Sequence, residues 1–424
     1  MSSRARVLIF LISTPITAVL IVGGLLGAAR PEAQRAARPL AVFQDVTQKI
    51  ESSYVTNVNI DSVFDGAMRG LIDGLDSSSA YLTPEEVRAY TSNAPLPAGD
   101  VGVVVTRPYL RVVGVRDGSP AARAGLQTGD IIRAIGDQAT RDLSAFAGAR
   151  ALRGAAGSKV TLVIIRGNVA DPHPVEVVRE VLSNDRVTGR TLPGGEAYVR
   201  VASFDSGAAK AMQSAIASLG GAASSGLLID LRGTADGPGS EGIEAARYFL
   251  KTGTIATLAG RAESDRTVTS ASAKDGAFTA PVVLLVSNGT ANAAEIFAAA
   301  LSGNKRARLV GEPTAGIAAE QRLVQLSEGH GLWLTYRRYL QTNGDPIHER
   351  GLRPDVPIEI PVIGFEEQPK TTDDVLNAAI KELKNPGSAK PAETAATAPP
   401  AGAAEPRTPG EPAPPPVPPA PPRR

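Results

Sequence analysis

The sequence predicts an α/β protein built from a helical N-terminal region, a β-rich module with two helices, and a larger α/β core. Three observations carry this prediction. Apolar residues recur every three or four positions between residues 38 and 92, short strands punctuated by glycine follow, and strands and helices alternate from Pro174 to Pro361. The length of 424 residues fits two or three domains.

Composition excludes several classes of function. A net charge of +1, without a long basic block, offers no electrostatic surface for nucleic acid. The chain has no Cys and only three His, so disulfides, thiolate metal sites and His-rich metal sites are not expected. We therefore expect no metal and no cofactor.

Residues 1–37 are predicted to be a membrane anchor or a signal segment. Arg4 and Arg6 precede an uncharged run of 23 residues, Val7 to Ala29, which as a helix would span about 34 Å and cross a bilayer. This length favours an uncleaved anchor, and a signal peptide cleaved after the small residues 27–29 is the alternative. With the two arginines inside, the remainder is expected on the periplasmic or extracytoplasmic side of the inner membrane, or secreted after cleavage.

The C-terminal end is a Pro/Ala-rich tail. From residue 386 to residue 424, 14 of 39 residues are Pro and none is aromatic. Such a segment buries too little apolar surface to offset its chain entropy, so we expect an extended, disordered spacer, with a ligand for a proline-binding partner as the alternative. Residues 366–385, before the tail, are expected to form a C-terminal helix.

The N-terminal region, residues 38–94, is predicted to contain short helices. Asp61 is the expected N-cap of the second helix. Thr83 is the expected N-cap of the next helix, because Pro84 suits its first position and tolerates the missing N–H.

Residues 95–168 resemble a PDZ domain. The resemblance rests on the order of strands and helices and on the string Ser119-Pro-Ala followed by Ala124-Gly-Leu and Gly129-Asp-Ile-Ile. PDZ domains add an extended peptide to a sheet edge and hold its carboxylate on backbone N–H groups beside a glycine turn. The resemblance places that turn at Val101, Gly102 and Val103, and the groove at Leu143, Phe146 and Arg150. The alternative is that these apolar residues only fill the core of the module.

Residues 169–365 are predicted to form the α/β core. Gly226 to Arg232 and Pro281 to Val286 read as buried strands, and the second precedes a tight turn, 287–290, and a helix through Leu301. A strand, a sharp turn and a helix in succession often expose a nucleophile above a sheet.

The ordered chain as a whole resembles the tail-specific, or C-terminal processing, serine peptidase family. The resemblance covers about 340 residues and is carried by matching strings at 198–201, 229–232, 288–291, 294–296, 309–314 and 344–356. It implies a PDZ domain, an α/β peptidase domain, and a Ser/Lys pair in which Lys accepts the proton of the attacking Ser hydroxyl.

The residues that the resemblance places at the catalytic positions cannot perform this chemistry. The nucleophile position falls on Asn292 and the base position on Ile317, while the assisting glutamine is retained as Gln321. A carboxamide is a very poor nucleophile and isoleucine accepts no proton. The oxyanion-equivalent positions are Asp236, Gly237 and Ala293, and a carboxylate at Asp236 opposes the charge of an oxyanion.

Other candidate residues are interpreted as structural. The hydroxyl of Thr290 is expected to cap the helix that follows it, and Lys305 is expected to be a solvated charge. Neither reading supports a relocated active site. The remaining candidates, considered as nucleophiles, bases or paired carboxylates and set aside, are Ser287, Ser302, His330, His348, Glu295 and Asp355.

Two functional hypotheses follow. The first is a membrane-tethered pseudopeptidase that binds protein C-termini or extended peptides through its PDZ domain, and acts as a partner of an active relative or as a homo-oligomer. The second is an active serine-type endopeptidase in envelope protein processing, with relocated catalytic residues. Neither hypothesis includes nucleic acid as a partner.

Overall fold

The computed structural model describes residues 31–385, apart from residues 93, 108, 142, 168–170, 184–185, 366 and 368–371. The predicted apolar membrane run and the Pro-rich tail lie outside the described residues. Within the described part of the chain, no helix has the length and apolar character needed to span a bilayer. The chain divides into a first unit, Met1–Asn184, Leu258–Thr267 and Ile317–Tyr339, and a second unit, Asp185–Thr257, Val268–Gly316 and Leu340–Arg424.

The first unit begins with helices. The elements are α1 (Pro31–Ser53), α2 (Ile60–Asp73), β1 (Ala80–Leu82) and α3 (Pro84–Thr91). Helix α1 starts before the predicted boundary at residue 38. The expected cap of α2 is wrong, because Asn59, not Asp61, accepts hydrogen bonds from the N–H groups of Asp61 and Ser62.

The predicted start of α3 is confirmed in detail. The Thr83 side chain accepts from the N–H of Glu86, and the Glu86 carboxylate accepts from the N–H of Thr83. Pro84 follows at the first helical position. These reciprocal bonds satisfy two backbone donors that a helix start leaves open.

The PDZ-like module follows in the first unit. Its elements are β2 (Val103–Thr106), β3 (Arg111–Val115), α4 (Pro120–Arg123), β4 (Ile131–Ile135), β5 (Gln138–Ala139), α5 (Ala145–Leu152), β6 (Lys159–Ile165) and β7 (His173–Val178). The strand order is β2-β3-β4-β6-β7, with β5 paired to β4.

The predicted end of this module at residue 168 is wrong. Strand β7 pairs antiparallel with β6, from Lys159 opposite Val178 to Ile164 opposite His173. Because β7 completes the sheet of the module, it does not belong to the α/β core to which we assigned it. The sequence did not reveal this, since a strand of alternating residues fits either sheet.

The remaining elements alternate between strand and helix over part of the chain, as the sequence predicts. They are β8 (Val187–Thr191), β9 (Ala197–Val201), α6 (Ala208–Ser218), α7 (Gly221–Ser225), β10 (Leu227–Asp230), α8 (Gly239–Arg247), β11 (Thr254–Gly260), β12 (Thr267–Ser270), β13 (Val282–Val286), α9 (Ala293–Gly303), β14 (Ala307–Gly311), β15 (Ala319–Gln325), β16 (Gly331–Leu340), β17 (Val356–Pro357) and α10 (Asp374–Lys384), with short 3₁₀ turns at Glu263–Asp265 and Ser327–Gly329. Strand and helix alternate from β9 to β11 and around α9, whereas β11 to β13 and β14 to β17 follow one another without an α-helix between them. Helix α10 is shorter than the expected helix over 366–385 and starts at its N-cap, Asp373.

The second unit is centred on a six-stranded sheet. The strand order is β17-β14-β13-β10-β9-β8, and every pair is parallel except β8 with β9. Strands β10 and β13 are buried along their whole lengths, as expected for a parallel sheet covered on both faces. Helix α9 is buried from Ala293 through Leu301, so the turn that leads into it is held by the core.

Helix α10 is fixed to this sheet by charge and by apolar contacts. Val375 and Ala379 pack in a buried cluster with Leu228 of β10. Arg232, directly after β10, pairs with Asp230 at 2.6 Å and with Asp373 at 2.8 Å. Burial opposes ionisation of Asp230, but the hydrogen bonds and charge of Arg232 lower the pKa of this carboxyl below its ordinary value.

A hairpin of β15 and β16 belongs largely to the first unit. Strand β16 also pairs antiparallel with β1, from Ala80 opposite Trp333 to Leu82 opposite Gly331. The N-terminal residues Ala80, Leu82 and Val87 form a buried cluster against which Trp333 packs. The distant hairpin therefore completes the core of the N-terminal region.

Candidate active-site and peptide-binding turns

The turn between β13 and α9 has the geometry expected for an exposed nucleophile. The N–H of Thr290 donates to the carbonyl of Ser287 at 2.9 Å, which closes the turn. Asn292 then has φ 49° and ψ −120°, a conformation that residues with a Cβ rarely adopt. The sequence-predicted nucleophile position is therefore at the strained point between a buried strand and a buried helix.

The Asn292 side chain is engaged by the neighbouring loop. Its Nδ2 donates to the backbone carbonyl of Ala235 at 2.9 Å. An amide nitrogen is a poor nucleophile because its lone pair is delocalised, and here it also serves as a hydrogen-bond donor. The side chain at the nucleophile position thus binds the protein's own backbone.

Thr290 does not cap α9, so that interpretation is wrong. Its hydroxyl donates to the carbonyl of Leu231 at 2.8 Å and accepts from the N–H of Ser287 at 3.0 Å. The residue is fully buried. The hydroxyl therefore joins the end of β10 to the turn after β13, and the helix start receives no side-chain cap from Asn292 either.

Ser287 performs a similar structural task. Its hydroxyl oxygen accepts from the N–H of Gly233 at 3.1 Å and from the N–H of Gly289 at 3.2 Å. The residue is 6% exposed. Both alternative nucleophiles on this turn are thus hydrogen-bonded to the backbone that shapes it.

The oxyanion-equivalent loop is packed against the segment that follows β9. The carbonyl of Asp236 accepts from the N–H of Phe204 at 3.1 Å. Gly237 has φ 104°, and a Cβ there would lie 2.1 Å from the carbonyl oxygen of Phe204. Ala293, the third oxyanion-equivalent residue, is fully buried. Glycine is required at position 237 for both backbone conformation and space.

Glu295 is a buried carboxylate that organises the loop after β14. It accepts from the Thr314 hydroxyl at 2.5 Å and from the N–H of Gly316 at 2.7 Å. The Thr314 hydroxyl oxygen in turn accepts from the N–H of Leu352 at 2.8 Å. The sequence interpretation of Glu295 as structural agrees with these contacts, whereas the part played by Thr314 was missed.

The remaining predicted site residues belong to the first unit. Ile317, at the base position, is half-buried. Gln321 lies on β15, and its Nε2 donates to the Thr335 hydroxyl on β16 at 3.3 Å. Asn292 belongs to the second unit. The hydrogen bond of Gln321 is thus one between neighbouring strands of the hairpin.

The other titratable candidates have structural surroundings. Lys305 is exposed, as expected for a solvated charge. The ring of His330 stacks on Tyr81 at 5.5 Å between centroids and hydrogen-bonds its hydroxyl, and His348 is 7% exposed. Among the residues that the structure describes, no three His, Asp or Glu side chains are grouped to hold a metal ion.

The predicted carboxylate-binding turn of the PDZ-like module is tightly packed. Gly102 has φ 84°, and a Cβ there would lie 2.3 Å from the Cβ of Ser119. The carbonyl of Val101 accepts from the N–H of Ala121 at 2.9 Å. The N–H of Gly102 donates to the side chain of Asp100 at 2.9 Å, and the sequence prediction did not include Asp100.

Two residues predicted for the peptide groove, Phe146 and Arg150, lie on α5. Gly148 faces Leu110 of the module, at a distance that leaves no room for a Cβ. Phe146 instead packs edge-on against Tyr90, at 5.7 Å between ring centroids, and Arg150 lies over the Phe146 ring. These contacts place Phe146 against the N-terminal region. They were missed because helical spacing identifies a face without identifying its partner.

Leu143, the third predicted groove residue, lies just before α5. Its carbonyl accepts from Nη1 of Arg107 at 2.6 Å, and Nη2 of Arg107 pairs with Asp73 at 2.5 Å. Arg107 thus connects the ends of β2 and α2 with the start of α5. Groove lining by these three residues stays a prediction.

Together, the PDZ-like module and the strand, strained turn and helix define the class of PDZ-containing serine-type peptidases. The family model for peptidase family S41 matches residues 196–358, and the model for a PDZ domain matches residues 111–166. The chain belongs to the carboxyl-terminal-processing proteases of peptidase family S41, as the resemblance in the sequence implied.

Relatives support this assignment over most of the chain. A carboxy-terminal-processing protease of Bartonella bacilliformis is 28% identical over 363 residues, which cover 84% of this chain and 83% of that protein. A carboxyl-terminal-processing protease of a Picosynechococcus species is 31% identical and covers 75% of this chain and 78% of that protein. The solved photosystem II D1 C-terminal processing protease is 27% identical with a TM-score of 0.62, over 73% of this chain and 86% of that structure. The predicted fold class is thereby confirmed.

Proposed function

We propose that this chain is a pseudopeptidase of the carboxyl-terminal-processing family that binds protein C-termini or extended peptides through its PDZ domain. The observation that carries the proposal is the hydrogen bond from Asn292 Nδ2 to the carbonyl of Ala235 at 2.9 Å. A side chain that is a poor nucleophile occupies the nucleophile position and is held by the loop that should receive the oxyanion.

The loop itself supports the same conclusion. The carbonyls of Ala235 and Asp236 accept hydrogen bonds from Asn292 and from Phe204. Stabilising a developing oxyanion requires donors directed at it, whereas position 236 of this loop carries a carboxylate, whose charge has the same sign as that of an oxyanion. With Ile317 at the base position, the nucleophile, the proton acceptor and the oxyanion loop all depart from what acyl transfer needs.

The proposed location is the extracytoplasmic side of a membrane. Arg4, Arg6 and the uncharged run of 23 residues support an N-terminal tether. The Pro-rich tail would then extend into the envelope as a spacer. In this arrangement the chain acts as a peptide-binding adaptor, paired with an active relative of the same family or with copies of itself.

The test of inactivity uses the full chain purified in detergent. It is incubated with unfolded β-casein and with a fluorophosphonate probe, and an intact carboxyl-terminal-processing protease serves as the positive control. We expect neither cleavage nor labelling. Cleavage, together with covalent labelling of Thr290 or Ser287 by the probe located by mass spectrometry, would instead establish an active endopeptidase with a relocated nucleophile.

The test of the tether is separate. Membranes that contain the chain are washed at alkaline pH, and the N-terminus of the retained protein is sequenced. Retention with residues 4–29 present supports the anchor. Release with a new N-terminus near residue 30 identifies a cleaved signal peptide.

A further inference from the structure

The glycine turn of the PDZ module already has an anionic acceptor. Asp100 Oδ1 accepts from the N–H of Gly102 at 2.9 Å. Gly102 is the central residue of the turn whose N–H groups, in PDZ domains, hold the carboxylate of a peptide. The carboxylate of an incoming peptide therefore meets an N–H group, that of Gly102, which already donates to the Asp100 carboxylate.

Asp100 is held in this position by its own backbone. Its N–H donates to the carbonyl of Glu180 at 2.9 Å, and the N–H of Glu180 donates to the carbonyl of Asp100 at 3.0 Å. The Asp100 side chain is 15% exposed, and its second oxygen pairs with Arg153 at 2.9 Å. Because both carboxylate oxygens and the backbone of Asp100 are bonded, we expect the carboxylate to stay beside the turn.

The strand that leaves this turn, β2, lies at the end of its sheet. In the described sheet of the module, β2 is an end strand that pairs with β3. Extended peptides bind such edges through main-chain hydrogen bonds, which do not depend on a terminal carboxylate. The edge can thus bind a peptide even where the turn does not favour its negative end.

We propose that Asp100 makes this PDZ domain select extended segments that lack a free C-terminal carboxylate, such as internal segments. This inference rests on the proposed peptide-binding function and narrows its ligand class. The physical cause is twofold. The Gly102 N–H offers no new bond unless Asp100 is displaced, and two carboxylates at the turn repel one another.

Substitutions of the two residues of the Asp100–Arg153 ion pair are expected to change the affinity for free-acid peptides in opposite directions. Asp100→Asn removes the negative charge and leaves Arg153 free to pair with a peptide carboxylate, so free acids gain affinity. Arg153→Gln leaves the Asp100 charge without this partner, so free acids lose affinity. Neither change alters the binding of a C-terminal amide through the strand edge.

The experiment compares two chemical forms of the same peptides. An equimolar pool of decapeptides with a C-terminal alanine is prepared as free acids and as C-terminal carboxamides. The pool is incubated with the immobilised full chain in detergent. The retained peptides are quantified by mass spectrometry as the amide-to-acid ratio for each sequence. Asp137→Asn, an exposed charge in the turn between β4 and β5, is the matched control.

We expect the unmodified chain and the control to retain amides better than acids, and equal retention of the two forms would overturn the inference. Asp100→Asn should raise acid retention on the order of tenfold, as removal of one like charge at contact distance would, and leave amide retention within about twofold. Arg153→Gln should lower acid retention. A preference of the unmodified chain for acids, or no gain in Asp100→Asn, overturns the inference while peptide binding stands. Retention of neither form by any variant overturns the proposed peptide binding, and the inference with it.

Discussion

Two turns of the molecule, one in each unit, have had their backbone groups occupied by a neighbouring polar side chain. In the second unit, the Asn292 side chain donates to the carbonyl of Ala235. In the first unit, the Asp100 side chain accepts from the N–H of Gly102. The Asn292 amide stands at the predicted position of the nucleophile, whereas the Asp100 carboxylate competes with a peptide carboxylate for the Gly102 N–H. On the proposed function, the turn of the second unit has lost its catalytic chemistry, and on the further inference the turn of the first unit has changed only its choice of ligand.

The surroundings of the two turns differ in burial. Asp230 and Arg232, next to the oxyanion-equivalent loop, have side chains that are 3% and 23% exposed. Asp100 and Arg153, next to the PDZ turn, are 15% and 35% exposed. Breaking a buried pair is costly because the remaining charge loses its partner, while water compensates for a partly exposed one. The turn of the second unit should thus be the less tolerant of change.

The largest effect is expected from Gly237→Ala. A Cβ at 2.1 Å from the carbonyl of Phe204, on a backbone with φ 104°, forces the loop to move. We expect a loss of more than about 3 kcal/mol in the free energy of unfolding, the sum of strain and overpacking. Hydrogen exchange of the β13 amides measures this loss as a lower free energy of opening of the sheet.

Gly207→Ala is the control for this first prediction. Gly207 also has a positive φ, of 87°, but no atom lies within 4 Å of its added Cβ. It should cost only about 1 kcal/mol, from backbone strain alone. Equal losses of stability in Gly237→Ala and Gly207→Ala would mean that the loop at Gly237 is loosely packed and that the two turns do not differ in their tolerance of change.

The next effect is expected from Asp230→Asn. We expect a loss of about 3 kcal/mol at pH 7, because Arg232 loses its buried partner and keeps only the partly exposed Asp373. The hydrogen bonds and charge of Arg232 hold the pKa of Asp230 below its ordinary value. Its stabilisation is therefore complete above the unfolded pKa of about 3.9 and lost as pH falls below it towards the folded pKa.

Urea denaturation followed by circular dichroism, between pH 7 and pH 3, measures this second effect. The difference in the free energy of unfolding between the unmodified chain and Asp230→Asn should become smaller only near pH 3. Arg123→Gln, which breaks an exposed pair with Glu180, serves as the control and should change stability by less than about 0.5 kcal/mol. If this difference already became smaller between pH 7 and pH 5, the acid-dependent stability could not be assigned to the Asp230 carboxyl.

A smaller effect is expected from Thr290→Val. The change preserves the side-chain shape but removes the bond to the Leu231 carbonyl and the acceptor for the Ser287 N–H. Leaving two buried backbone groups without this partner should cost about 2 kcal/mol. Thr290→Ser retains the hydroxyl and should lose less than Thr290→Val in the same urea experiment. The reverse order would show that the methyl group, and not the hydroxyl, holds the turn.

The smallest effect is expected from Asp100→Asn. An asparagine oxygen still accepts from the Gly102 N–H, and the Arg153 pair is partly exposed, so stability should fall by less than about 1 kcal/mol. The fluorescence of Trp333, the single tryptophan, reports unfolding of the first unit. A loss as large as that of Asp230→Asn would place the Asp100 pair among the buried anchors and remove the contrast between the two turns.

The sequence by itself determined the elements and the family. Periodicity located the buried strands β10 and β13, and local chemistry located the Thr83 cap, because neighbours in sequence make those contacts. Matching strings predict that Asn292 and Ile317 occupy positions where the family has reactive residues, and this stays a prediction. These inferences needed no partner from a distant part of the chain.

The tertiary structure decided which distant group each of these residues meets. Only the fold placed β7 in the PDZ sheet, the Thr290 hydroxyl on the Leu231 carbonyl, and the Phe146 ring against Tyr90. Even the local contact of Asp100 with Gly102 depends for its effect on distant segments, because the fold brings Arg153 to the Asp100 carboxylate and leaves β2 at the end of the sheet. Spacing along a chain identifies a face or a turn, but hydrogen bonds and packing between segments far apart in sequence depend on how the chain returns to itself.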